Sequence, residues 1–83
     1  MEKLLINLFV PAVQESYDVF VPADLELHIL TKVLSDSIPE LDNNRYSVSG
    51  REMLIQCEPE QLLNPRKTLA EYGIRDGARL VLL

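Results

Sequence analysis

A single cysteine, Cys57, and a single histidine, His28, are the side chains in this 83-residue sequence that could supply a nucleophile and its base. Nucleophilic catalysis needs the two within hydrogen-bond reach, with a further group orienting the base. The hydrophobic pattern keeps them apart. Cys57 closes the apolar run Met53-Leu-Ile-Gln-Cys57, which reads as a strand, and His28 falls on the polar side of a helix. A core-facing Cys57 and a surface His28 are expected. Two carboxylate pairs invite an acid–base reading, Asp24 with Glu26 and Glu58 with Glu60. The first stands at a helix start, where Asp24 as N-cap accepts backbone N–H bonds and Glu26 faces the positive end of the helix dipole. The second brackets Pro59 in a turn. No three residues show metal-ligand spacing, and the Lys-Ser or Lys-Thr pair of a phosphate loop does not follow Gly73 and Gly77. No catalytic residue, cofactor or metal is therefore assigned, and the chain is expected to bind rather than to catalyse.

Composition agrees with that expectation. Hydrophobic residues at 47% and charged residues at 25% are ordinary values for one globular domain covering residues 1–83. A lone cysteine excludes an internal disulfide framework and a Cys-x-x-Cys zinc site. The apolar runs are a few residues long, far short of the ~20 that span a bilayer, and no secretory signal pattern opens the chain. A cytoplasmic location, peripheral to a membrane complex at most, is the expectation. Residues 1 to 42 carry eight carboxylates against Lys3 and Lys32, whereas residues 43 to 83 carry five against six bases. Net acidity disfavours nucleic acid, whose backbone is bound by clustered Lys and Arg.

The elements that position these residues follow from periodicity. Lys3 to Val10 alternates and stops at Pro11. After a connection through Ser16, Tyr17-Asp-Val-Phe-Val21 resumes the alternation and Pro22 closes it, giving an antiparallel hairpin. A helix from about Leu25 to Ser37 buries a stripe of Leu27, Leu30, Val33 or Leu34, and Ile38. His28, Thr31, Lys32, Ser35 and Asp36 point away. Ile38-Pro39 ends the helix, because proline disfavours helical geometry in the preceding residue. Leu41 to Asn44 reads as loop. Two registers compete beyond it: Arg45 to Ser49 against Glu52 to Cys57 across Gly50-Arg51, or Met53 to Cys57 against Gln61-Leu-Leu63 across Glu58-Pro-Glu60. The second is favoured, since Pro59 is a turn residue and Leu62-Leu63 otherwise lacks a burial partner. Asn64-Pro65 begins a turn, Leu69 and Tyr72 anchor a helical turn, and Asp76-Gly77 leads into a last strand, Ala78 to Leu83. Gly73 and Gly77 suit positive φ at their bends.

The order ββαββ, with a small turn before the final strand, puts one helix across a mixed sheet of four to five strands. This α+β layout is that of the ubiquitin-like β-grasp. Lys67-Thr-Leu-Ala-Glu-Tyr-Gly-Ile74, with Leu80 six residues on, resembles the corresponding segment of ubiquitin, as do Val21-Pro22 and Ile38-Pro39 around the helix. A closer resemblance is to the YukD/EsaB family, ubiquitin-like proteins of bacterial type VII secretion systems. It rests on Tyr17-Asp-Val-Phe-Val-Pro-Ala23, Gln61-Leu-Leu63, Asn64-Pro-Arg-Lys-Thr-Leu69 and Tyr72-Gly-Ile-Arg-Asp-Gly-Ala-Arg-Leu80. Residues 39 to 52 depart from the family by several extra residues, and no family contact is carried over there.

The resemblance implies an accessory or regulatory protein that works by binding protein, with the cytoplasmic part of the secretion ATPase or another core component as partner. A β-grasp modifier or sulfur carrier is the alternative reading. It requires a C-terminal diglycine, and the sequence ends Leu82-Leu83, as the family does. A general β-grasp scaffold domain is the third reading. For a binding surface, alternation along the last strand directs Leu80 and Leu82 inward and Arg79, Val81 and Leu83 outward. Leu54 and Gln56 on the neighbouring strand are the expected outward companions. Arg75 and Arg79, with Arg66 and Lys67 nearby, form a candidate basic rim.

Overall fold

The computed structural model describes residues 3–41 and 48–83. Among these described residues five strands form one mixed sheet in the order β2-β1-β5-β3-β4, crossed by one helix. β1 (Lys3–Val10) and β2 (Glu15–Pro22) pair antiparallel over eight residues, from Lys3 opposite Pro22 to Val10 opposite Glu15. Glu15 and Ser16 therefore belong to the strand and not to the connection, which shrinks to residues 11–14. Val13 N–H donates to Val10 O (3.2 Å) and Gln14 N–H to Pro11 O (3.1 Å), and Gln14 takes a positive φ of 54°. This compact turn feeds the two strands into register at once.

The helix, α1 (Leu27–Leu41), differs from its sequence reading at both ends. It starts two residues later, so Glu26 lies outside the first turn and Asp24 is not its N-cap. Glu26 instead bridges to Thr68, and the Leu27 and His28 N–H groups donate to Lys67 O and Pro65 O (2.9 Å each). A distant backbone segment thus supplies the acceptors that a side-chain cap would have offered. At the other end Pro39 lies inside the helix. The residue before it, Ile38, is only 1% exposed, and its burial outweighs the local preference of a pre-proline residue for extended geometry. Leu27, Leu30, Leu34 and Ile38 form the buried stripe, and Val33 is on the exposed side. Ser35 was expected to point away and is buried; its Oγ–H donates to Thr31 O at 2.7 Å, which satisfies the hydroxyl inside the helix.

β3 (Leu54–Cys57) and β4 (Glu60–Leu62) pair antiparallel around Glu58-Pro59, the favoured register. Ile55 stands opposite Leu62 and Cys57 opposite Glu60. The competing strand over Arg45 to Ser49 falls largely outside the described residues, as does the loop expected over Leu41 to Asn44 except for Leu41, which is the last residue of the helix instead; Val48 and Ser49 are not in a strand. β5 (Ala78–Leu82) lies between β1, to which it is parallel, and β3, to which it is antiparallel. Gly77 delivers it with φ 87°, and its N–H donates to Leu5 O (2.7 Å) while Asp76 Oδ1 accepts from Leu5 N–H (2.8 Å). Gly73 also takes a positive φ, as its bend requires.

The core lies between α1 and one face of the sheet. Leu4, Ile6, Leu8 and Val10 of β1, Leu54 of β3, Leu80 and Leu82 of β5 and the helix stripe form one buried cluster, closed at one end by Leu63, Leu69 and Ile74. Thr68 and Glu71 secure the Leu69 turn reciprocally. Thr68 N–H donates to Glu71 Oε1 (3.0 Å) and Glu71 N–H to Thr68 Oγ1 (3.1 Å), a capping box in Thr68-Leu-Ala-Glu71.

Candidate protein-binding face

Strand alternation fixes what the sheet shows on the side away from the helix. Leu80 and Leu82 are buried, so Arg79, Val81 and Leu83 face outward, as expected from the sequence. The companions on β3 are different from those expected. Leu54 is 3% exposed and opposes Leu82, and Gln56 opposes Leu80, so both occupy the core-facing side. The β3–β4 pairing is the favoured one, but the facing expected along β3 was off by one residue, and with a period of two that exchanges the faces. Gln56 is half-buried there; Gln61 Nε2 donates to its Oε1 (2.7 Å) and its own Nε2 donates to Glu58 O (3.1 Å). Ile55 takes the outward place, opposite Val81 on one side and Leu62 on the other.

An apolar row results. Leu62, Ile55, Val81 and Phe9 are cross-strand neighbours in turn from β4 through β3 and β5 to β1. Leu62 is 60% and Phe9 38% exposed, with Ile55 and Val81 half-buried between them. Met53 and Leu83 extend the row beyond the strands: each N–H donates to the other's carbonyl at 3.0 Å, and both side chains are about half exposed. Cross-strand neighbours at this spacing touch and form one surface. Ile55 and Leu62 are the members that the off-by-one facing concealed, and the signal for them was the burial demand of Leu54.

A polar row borders this surface. Arg79 opposes Asn7, whose Nδ2 donates to Asp18 Oδ1 (3.1 Å). Arg75 and Arg79 are exposed; Arg66 and Lys67 belong to the turn that meets the helix start, and Lys67 Nζ lies 5.5 Å above the Tyr72 ring. The four bases are therefore divided between two regions instead of forming one rim. Asn64 N–H donates to the Tyr72 hydroxyl (2.7 Å), which ties that turn to the Leu69 segment.

The reactive residues do not converge. Cys57, expected to face the core, is half-buried on the outer face, because alternation from the buried Leu54 turns it outward with Ile55. His28 is on the helix, on the other side of the sheet, with Nε2 2.6 Å from Glu26 Oε2. No cluster of three metal-ligating side chains occurs among the described residues. A groove of about 620 Å³ runs between α1 and β3–β4, lined by Leu27, Thr31, Leu54 and Leu63 and reached also by Met53 and Leu62, which thus border both the groove and the outer row. The titratable groups at its rim have nearby partners: Lys32 Nζ is 3.5 Å from Asp36 Oδ2, and the Glu52 carboxylate accepts from Ser49 and Gly50 N–H. The groove is apolar without a nucleophile and its base. No described helix is long and apolar enough to cross a membrane.

The strand order, the parallel pairing of the first and last strands and the single crossing helix decide the fold. It is the ubiquitin-like β-grasp. The N-terminal ubiquitin-like domain of the 4931431F19Rik protein superposes with a TM-score of 0.74 at 17% identity, over 98% of this chain and 73% of that one. The ubiquitin-like domain of the Mycobacterium tuberculosis type VII secretion protein EccD1 gives 0.66 at 16% identity, covering 100% of this chain and 99% of that one. The EccD5 ubiquitin-like domain from Mycobacterium xenopi gives 0.69 at 22%, covering 100% and 94%. At these identities the likeness establishes the β-grasp architecture. No protein family matches the chain as a sequence, and no curated protein does.

Proposed function

We propose that this β-grasp domain is a protein-binding accessory or regulatory module of a type VII secretion system, docking through the outer face of its sheet. The observation that carries the binding role is the continuous apolar row Leu62, Ile55, Val81 and Phe9, extended by Met53 and Leu83. Single exposed apolar residues are ordinary on any surface; six side by side on a sheet face are a docking surface. The pathway is supported by motifs that resemble those of the YukD/EsaB family and by the presence of two type VII secretion domains among proteins of the same fold. The partner on this reading is the cytoplasmic part of the secretion ATPase or another core component of the machine.

Val81→Asp tests the proposal. Val81 is half-buried in the middle of the row, so a carboxylate there disrupts an apolar contact while the inner core stays untouched. The variant is expected to unfold within a few degrees of the parent and to bind the purified cytoplasmic region of the ATPase at least about tenfold more weakly, a loss of ~1.4 kcal/mol. Equal affinity of parent and variant would remove the outer face from the interaction.

A further inference from the structure

The outer face carries a second row beside the apolar one. Two residues along the strands from Leu62, Ile55 and Val81 stand Glu60, Cys57 and Arg79, which alternation turns to the same side. Glu60 is opposite Cys57, and the β3–β5 register, continued by one residue, sets Cys57 beside Arg79. An acid and a base thus flank a half-buried thiol across β4, β3 and β5. Both are exposed, and neither has an ion-pair partner among the described residues. Two strand spacings, ~10 Å of sheet, keep them apart within one chain. Asp18, farther along the row on β2, already accepts from Asn7 Nδ2 at 3.1 Å.

This arrangement is self-complementary. A second copy laid face to face on the sheet, related by a two-fold axis along β3, exchanges the places of β4 and β5. Leu62 of one copy then meets Val81 of the other, Ile55 meets its own counterpart, and Glu60 meets Arg79 twice by symmetry. Apolar falls on apolar and acid on base. Other axes fail this test. An axis along β5 sets Arg79 against Arg79, and one along β1 sets Val81 against Ser16 and leaves Ile55 and Leu62 uncovered. An axis across the strands at Val81 sets Arg79 against Leu83.

We infer that the outer face closes on a second copy of this chain, in a symmetric dimer about β3 whose register is fixed by reciprocal Arg79–Glu60 pairs. The inference rests on the reading of the outer face as the docking surface and adds its regulation: self-association covers the apolar row, and a secretion partner has to displace the second copy. Sheets packed face to face lie ~10 Å apart and cross at about −30°, which a two-fold axis along β3 permits. Three strands from each copy share the contact, which places it at the small end of specific interfaces, below about 1,200 Å² in total. A weak, reversible dimer is the consequence. The net charge of −5 on each copy opposes it at low salt and is largely screened at about 0.15 M.

The test is sedimentation of the full-length protein alone, up to about 2 mM and at about 0.15 M salt, where a monomer–dimer equilibrium is expected. Glu60→Arg and Arg79→Glu, both at exposed sites, should keep the parent's thermal unfolding and each weaken the dimer at least about tenfold. The double variant exchanges the signs of both pairs and should recover the parent's association, as coupled residues do. Cys57 lies on the axis, so a short bismaleimide should join two chains through their Cys57 thiols in the parent and the double variant, and not in either single variant. A parent that dimerises but never binds the ATPase region defeats the docking proposal and leaves this one; a monomer that binds it does the reverse. The inference is overturned if the protein stays monomeric at about 2 mM, if the single charge reversals leave association unchanged, or if the double variant does not regain it.

Discussion

The two hairpins of this sheet divide the work between them. In the first, β1 and β2 meet over eight residue pairs and send Leu4, Ile6, Leu8, Val10 and Val21 into the core. In the second, β3 and β4 meet over three pairs and contribute Leu54, with Leu63 just beyond the strand. What the second hairpin does not bury it displays: Ile55 and Leu62 on the outer face, continued by Met53. A domain of this size has a small total stability, so concentrating burial in one hairpin leaves the other free to carry exposed apolar side chains. The difference concentrates burial in the first hairpin and places most of the outer apolar row on β3, β4 and β5, with Phe9 as the first hairpin's share of it.

Four experiments sharpen or break that division. The largest effect is expected from Ile6→Ala, which empties a fully buried β1 site and should cost about 2–5 kcal/mol in denaturant unfolding, against less than about 1 kcal/mol for Ile55→Ala. Equal losses would show that the outer row also bears the fold. Gly77→Ala comes next. Open space surrounds the position, so the penalty is the left-handed φ of 87° alone, about 1–2 kcal/mol by the same measurement. Thr68→Ala breaks the capping box and should cost about 1 kcal/mol, while Thr68→Ser restores most of it. The smallest effect is one of distribution: native-state hydrogen exchange should find the β1 amides opening near the global unfolding free energy and those of β4 opening earlier, with uniform protection contradicting the contrast.

Much of this was readable in the chain. The alternation of Lys3 to Val10 against Tyr17 to Val21, the helix stripe and the Asp76-Gly77 bend are local signals, and local sterics and burial enforce them. The capping box Thr68-Leu-Ala-Glu71 is a local pattern as well, although the expectation there was only a helical turn at Leu69 and Tyr72. The helix ends were not legible, because their causes are remote: Lys67 and Pro65 carbonyls receive the first N–H groups, and the buried Ile38 carries the helix through Pro39. The binding face was half legible. Arg79, Val81 and Leu83 followed from two buried leucines, Leu80 and Leu82, on the same strand.

In Met53-Leu-Ile-Gln-Cys57 nearly every residue is apolar, so alternation carries no phase, and only pairing with β5 decided that Leu54 goes in and Ile55 out. By itself the sequence determined the elements and their order. The tertiary structure decided which side chains share a surface: the row from Leu62 to Phe9, and Glu60 and Arg79 on either side of Cys57 beside it. The physical reason is range. Periodicity and turn chemistry act within a few residues, whereas the face that a strand presents is set by partners more than twenty residues away in the chain.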